Sequence, residues 1–136
     1  MMKKFVALLG FLALAGCAAD NKGFSFDVIE DPLYLRAERK LEQDFVQIQR
    51  AVFKHQAACN AEVQFSRDEL YPANARVTKP FRPGATNSSE MVVLSLARMT
   101  SGLTRGRVYS YYATTNNQVQ EMFDIVLNPE KCPVSE

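Results

Sequence analysis

Missing residues and missing motifs narrow the chemistry of this chain before anything present is considered. It has one histidine, His55, and three cysteines, Cys17, Cys59 and Cys132, none of them in a Cys-x-x-Cys spacing. Structural zinc sites gather four ligands from such side chains, so no metal or other cofactor is expected. A general base needs a nucleophile or an orienting group beside it, and no local motif supplies one for His55, which is expected to be a packed core residue. Gly-rich phosphate loops, nucleophile elbows, His-Glu-x-x-His helices and calcium loops are all absent. The adjacent carboxylates Asp68 and Glu69 sit among loop residues, where they are expected to be solvated. Excess charge of one sign is missing too: 16 Lys and Arg face 15 Asp and Glu, so no overall field draws nucleic acid.

The longest apolar run, Phe5 to Leu14, is too short to cross a bilayer as a permanent helix. It follows Lys3-Lys4 and leads into Leu14-Ala15-Gly16-Cys17, the order of charged, apolar and small-residue regions found in a secretory signal. Residues 1–17 resemble the precursors of bacterial lipoproteins, which are cut before a cysteine whose thiol has been lipidated. The resemblance implies that Cys17 becomes the first mature residue, carrying a diacylglyceryl thioether and a further acyl chain. Several chains anchor stably where one does not, since each buried methylene adds about 0.8 kcal/mol. Ala18 follows the cysteine where an Asp would retain the protein in the inner membrane, which implies the periplasmic face of the outer membrane.

Loss of Lys3 and Lys4 with the signal leaves 14 basic residues against 15 acidic ones, a formal mature charge of −1. Cys59 and Cys132 then form an even pair in an oxidising compartment and are expected to be bonded. The domain reading is a signal peptide over 1–16, a lipidated tether with a short strand or extended segment at Phe24 to Val28 over 17–30, and one α+β domain over 31–136.

Asp31-Pro32 is a helix start signal, and no Gly or Pro interrupts Leu33 to Ala58. Tyr34, Ala37, Leu41, Phe45, Ile48, Val52, His55 and Cys59 recur at steps of three and four, one stripe of a long N-terminal helix. Ala61 to Ser66 alternates as a first strand. Arg67 to Ser89, with three prolines, reads as loop with a short extended piece at Arg76 to Thr78. Glu90 to Arg98 and Arg107 to Thr114 are the second and third strands. Asn116-Asn117 suits a hairpin leading into a fourth strand over 119–127, although Val119, Met122, Phe123 and Val126 also fit a helix. The expected fold is therefore α+β, one long N-terminal helix packed on a four-stranded antiparallel sheet.

Two surface features are candidates for partner contact. Leu35, Val46 and Phe53 form a second apolar row on the expected helix, about 120° from the first, either covered by the Phe24 to Ile29 segment or by a loop, or free for a partner. Arg76, Lys79 and Arg82 make the long loop basic, suited to an acidic protein patch, peptidoglycan carboxylates or lipid phosphates. The reading that follows is a non-enzymatic, lipid-anchored binding or accessory protein of an outer-membrane assembly, with an envelope protein as partner. The alternative is a membrane-held inhibitor or immunity protein that neutralises a toxin or hydrolase.

Overall fold

Both long helices begin at a residue whose side chain takes up free amides of the first turn, and those two caps redraw the expected element boundaries. The computed structural model describes residues 26–133. The signal segment, Cys17, the tether and Phe24 lie outside the described residues.

The described part of the expected Phe24 to Val28 strand is a single helical turn, α1 (Phe26–Ile29). Asp31 does cap a helix, its Oδ1 accepting from the Leu33 amide at 2.9 Å, but the helix is one 3₁₀ turn, Pro32–Tyr34. The chain then extends into β1 (Leu35–Leu41) before turning into α2 (Phe45–Cys59). The long helix expected from Leu33 to Ala58 is thus two elements. Its true start is Asp44, which accepts from the Gln47 amide at 2.8 Å while the Gln47 side chain accepts from the Asp44 amide at 2.9 Å. This reciprocal pair is a capping box. Asn60 stops the helix in the left-handed conformation, φ 49°, which asparagine tolerates.

Helix-forming residue types fill β1, yet propensity differs by at most about 0.7 kcal/mol per residue among ordinary side chains. Against that stands a ladder with β5 (Thr104–Ser110), from Leu35↔Tyr109 to Leu41↔Thr104. Charged residues also suit an edge strand, because they discourage further pairing. The sheet continues through β4 (Met91–Arg98), β3 (Asn74–Pro80) and β2 (Gln64–Arg67), in the order β1-β5-β4-β3-β2, antiparallel throughout. It has five strands, not four. The extended piece at Arg76 to Thr78 is the middle of β3, and the third strand lies three residues earlier than expected. Because β1 and β2 are opposite edges, α2 must cross four strand spacings, roughly 19 Å in all. Its 15 residues span roughly 22 Å at about 1.5 Å each. A helix of the expected length would have overshot the sheet and left β5 without its edge partner.

The expected fourth strand is also a helix, α3 (Asn116–Leu127). Thr115 accepts from the Gln118 amide at 3.2 Å and donates its own amide to the Gln118 side chain at 2.8 Å. Asn116 and Asn117 open the helix instead of turning a hairpin. Among the described residues no helix is long and apolar enough to cross a membrane.

Both helices cover one face of the sheet. Phe45, Ile48, Val52 and His55 from α2, and Met122, Phe123, Ile125 and Val126 from α3, are buried against Leu41, Ala75, Val77, Val92, Leu94, Leu96 and Val108. Gly106 lies beneath them because a Cβ there would stand 3.2 Å from both Leu41 Cδ1 and Leu94 Cδ1. A second, smaller core forms on the opposite face, where Ile29 of α1 is buried with Val93 and Tyr109, flanked by Phe26, Tyr34 and Met91.

The expected disulfide is present: Cys59 and Cys132 are bonded, with their Cα atoms 5.3 Å apart. It joins the end of α2 to the segment after α3, rather than the first strand to the fourth. His55 Nδ1 is 2.9 Å from the Pro129 carbonyl oxygen. A carbonyl only accepts, so Nδ1 carries a proton and donates it. Nε2 is buried without a hydrogen-bond partner among the described residues.

Candidate functional site

Alternation along the strands decides which side chains share the sheet face that α2 and α3 leave uncovered. Ala75 and Val77 of β3 point to the helices, so Asn74 and Arg76 point away. On β4 and β5 the same parity turns Ser95, Ala97, Arg105, Arg107 and Tyr109 outward. The register sets Arg107 opposite Ser95 and Ser95 opposite Arg76, a row across three strands. Glu30, just after α1, and Asp68, just after β2, complete the lining of a cleft of about 240 Å³.

The arginines of this cleft are held differently. Arg76 Nε donates to Glu30 Oε1 at 2.6 Å and Nη2 lies 3.8 Å from Asp27 Oδ1, with the guanidinium 5.1 Å from the centre of the Phe26 ring. Arg107 Nε donates to Glu38 Oε2 at 2.7 Å, a cross-strand pair between β5 and β1. Both guanidinium groups are held above their ordinary pKa, Arg76 by its hydrogen bond to Glu30 and Arg107 by its bond to Glu38, with burial opposing in each case. The Arg105 side chain has no hydrogen bond or ion pair among the described residues. Asp68 is already occupied: its Oδ1 accepts from the Leu70 and Tyr71 amides at 2.9 and 3.1 Å. The cleft thus offers one unspent guanidinium opposite Ala97, in the row next to the one that holds the two immobilised guanidinium groups, a geometry suited to an oxyanion such as a carboxylate or phosphate.

The basic residues singled out in the sequence do not form one patch. Arg76 lies in the cleft. Lys79, three residues along β3, points to the helix side and pairs with Glu121 of α3 at 3.3 Å. Arg82 is exposed in the loop beyond β3. The apolar row is likewise divided, since Leu35 begins an edge strand while Val46 and Phe53 stay on the outward stripe of α2. All three are exposed, Phe53 most at 56 %, and the α1 segment, which packs on the other sheet face, does not cover the α2 pair.

From the residues alone Arg107 opens the expected third strand and Arg105 falls in the turn before it, whereas both lie within β5. Their role depends on strand parity and on β3 being a strand, which the prolines around it concealed. Ser95 stands among arginines, and the sheet separates it from His55, so the described residues of the cleft do not pair a nucleophile with a base. No group of three or more His, Cys, Asp or Glu side chains is arranged to hold a metal among the described residues.

A different cluster lies at the strand ends where β1 starts and β5 finishes. Tyr34, Tyr111, Tyr112 and Phe81 form a continuous row, with ring centres 5.5, 5.0 and 5.5 Å apart in that order. Arg36 supports it by donating from Nε and Nη2 to the Ser110 carbonyl at 3.2 and 3.0 Å. No protein-family model matches the chain, and no curated protein matches it in sequence.

Proposed function

We propose that the mature protein is a lipid-anchored, non-enzymatic binding protein of the outer membrane's periplasmic face, an accessory subunit or adapter for an envelope assembly. The lipoprotein-like start of the chain supports the anchor, and the open, polar sheet face supports the binding role. The observation that carries the reading is the cleft, in which Arg76 and Arg107 are fixed by carboxylates while Arg105 is left to engage a partner. Preorganised arginines lose little side-chain entropy on binding and recognise carboxylates in a defined direction. An acidic segment of an envelope protein fits this site best.

Crosslinking the native lipidated protein in cells, followed by affinity purification, tests the proposal. Arg105→Ser should lose a specific envelope partner while the exposed Arg82→Ser retains it. Identical partner sets for wild type and Arg105→Ser, or recovery of the protein from cytosol in an unacylated form, would defeat it.

A second reading, an inhibitor or immunity protein, has one observation in its favour. The β2–β3 turn presents Leu70 at 82 % and Tyr71 at 64 % exposure on a tip stiffened by the two amide bonds to Asp68. A rigid apolar tip of this kind suits insertion into a cleft. Retained partner capture by a Leu70→Ala/Tyr71→Ala variant would remove it.

A further inference from the structure

The proposed anchor enters the domain at one particular corner, and that corner has its own surface chemistry. Phe26, where the described chain begins, packs with Tyr34 around Ile29, Val93 and Tyr109. Only nine peptide steps separate Cys17 from Phe26, a reach of at most roughly 30 Å. Around this point the exposed side chains are large and apolar or aromatic: Val28 at 42 %, Leu33 at 73 %, Tyr111 at 43 % and Tyr112 at 38 %. They continue the row that ends on Phe81, beside the exposed Arg82. Tyrosine, with an apolar ring and a polar tip, favours the headgroup level of a bilayer, and a neighbouring arginine can reach lipid phosphate while its stem lies on apolar surface.

We propose that this aromatic corner seats the domain on the bilayer leaflet that the acyl chains of Cys17 enter, Leu33 and Tyr112 dipping into the headgroup layer. The proposal rests on the lipid-anchor reading and deepens it, because it gives the tethered domain a fixed orientation. Asp27 and Asp31, both exposed at the same corner, hold the contact at headgroup depth, since carboxylates resist entry into the hydrocarbon. The seating also directs the molecule's other end outward. Seven residues of β1 at about 3.3 Å each separate the corner from the start of α2 and from the Leu70-Tyr71 turn, which therefore face the periplasm.

The chain contains no tryptophan, so each single introduction is an unambiguous reporter. Full-length lipidated protein carrying Leu33→Trp, Tyr112→Trp or Val46→Trp is reconstituted into phosphatidylethanolamine and phosphatidylglycerol vesicles, with and without bromine on the upper acyl carbons. All three positions are exposed, so the substitutions leave both cores intact. Leu33→Trp and Tyr112→Trp should be quenched at least twofold by the brominated lipid and shift to the blue, with Val46→Trp unchanged. If the protein floats with the vesicles but Leu33→Trp and Tyr112→Trp respond no more than Val46→Trp, the seating is wrong and the anchor stands. If the cell-derived protein carries no acyl mass and does not float, the anchor falls and the seating with it.

Discussion

Removing the disulfide should cost this domain a large share of its stability. Cys59 and Cys132 are 73 residues apart in sequence, and closing a loop of that size in the unfolded chain is worth roughly 4 kcal/mol in the chain-entropy treatment. A domain of this size is stable by about 5–15 kcal/mol, so the bond is comparable with the whole margin at the lower end. The folded state has little reason to change when it is lost. His55 Nδ1 still holds the Pro129 carbonyl, Lys131 Nζ still reaches Asp124 Oδ2 at 3.3 Å, and Lys54 Nζ still meets Glu130 at 3.0 Å. The loss should therefore appear almost wholly through the unfolded ensemble. In urea titrations of a Cys59→Ala/Cys132→Ala variant followed by far-ultraviolet circular dichroism, the unfolding free energy should fall by about 3–4 kcal/mol. Its Tm should drop by roughly 15 °C, and its m-value should rise because the uncrosslinked chain exposes more surface. A loss below about 1 kcal/mol with an unchanged m-value would refute the loop-closure reasoning. Two titratable thiols in denatured, unreduced wild type would refute the bond itself.

Gly106→Val should destabilise by about 1–3 kcal/mol through overpacking, because its first carbon alone would press on Leu41 and Leu94; thermal unfolding measures this, and an unchanged Tm would mean that the two leucine side chains move aside freely. Asp44→Ala should cost about 1 kcal/mol, read in urea, whereas the same change at the exposed loop residue Glu69 should be close to neutral. Acid should weaken the domain through Asp124. Burial pushes its carboxyl up, but hydrogen bonds from Gln120, Asn128 and Lys131 outweigh that and hold it below the ordinary range. A depressed folded pKa means that the contribution is complete above the unfolded carboxylate pKa and disappears as pH falls through the folded one. Wild type should thus lose more stability than Asp124→Asn between neutral pH and the region below about pH 4, and parallel stability profiles would contradict it.

Much of the fold can be seen in the residues alone, and the failures share one physical cause. Phe45, Ile48, Val52 and His55 fall on a single stripe in the sequence and are buried together, since amphipathic spacing is a local property of a helix. The same spacing carried the stripe backward through Tyr34, Ala37 and Leu41 into what is β1. Asp44-x-x-Gln47 marked the true start in plain view, as Thr115-x-x-Gln118 did for α3. The apolar stripe runs past the first cap and the Asn116-Asn117 turn signal overlies the second, yet the cap decides where a helix begins because free amides must be satisfied there. The second strand, Glu90 to Arg98, was legible because it is central and apolar on both faces. β3 was hidden by Pro72 and Pro80 and became a strand only through its neighbours β2 and β4.

Taken by itself, the sequence determined which segments are apolar on one side, because that follows from local spacing, and the resemblance of residues 1–17 to lipoprotein precursors singled out Cys59 and Cys132 as the pair expected to bond, as they do. The tertiary structure alone decided that a run of good helix formers pairs as an edge strand, that Arg76 and Lys79 part to opposite faces, and that Arg105 and Arg107 line one cleft. Each of these depends on partners distant in the chain, and a ladder of backbone hydrogen bonds outweighs a few tenths of a kcal/mol of local preference at each residue.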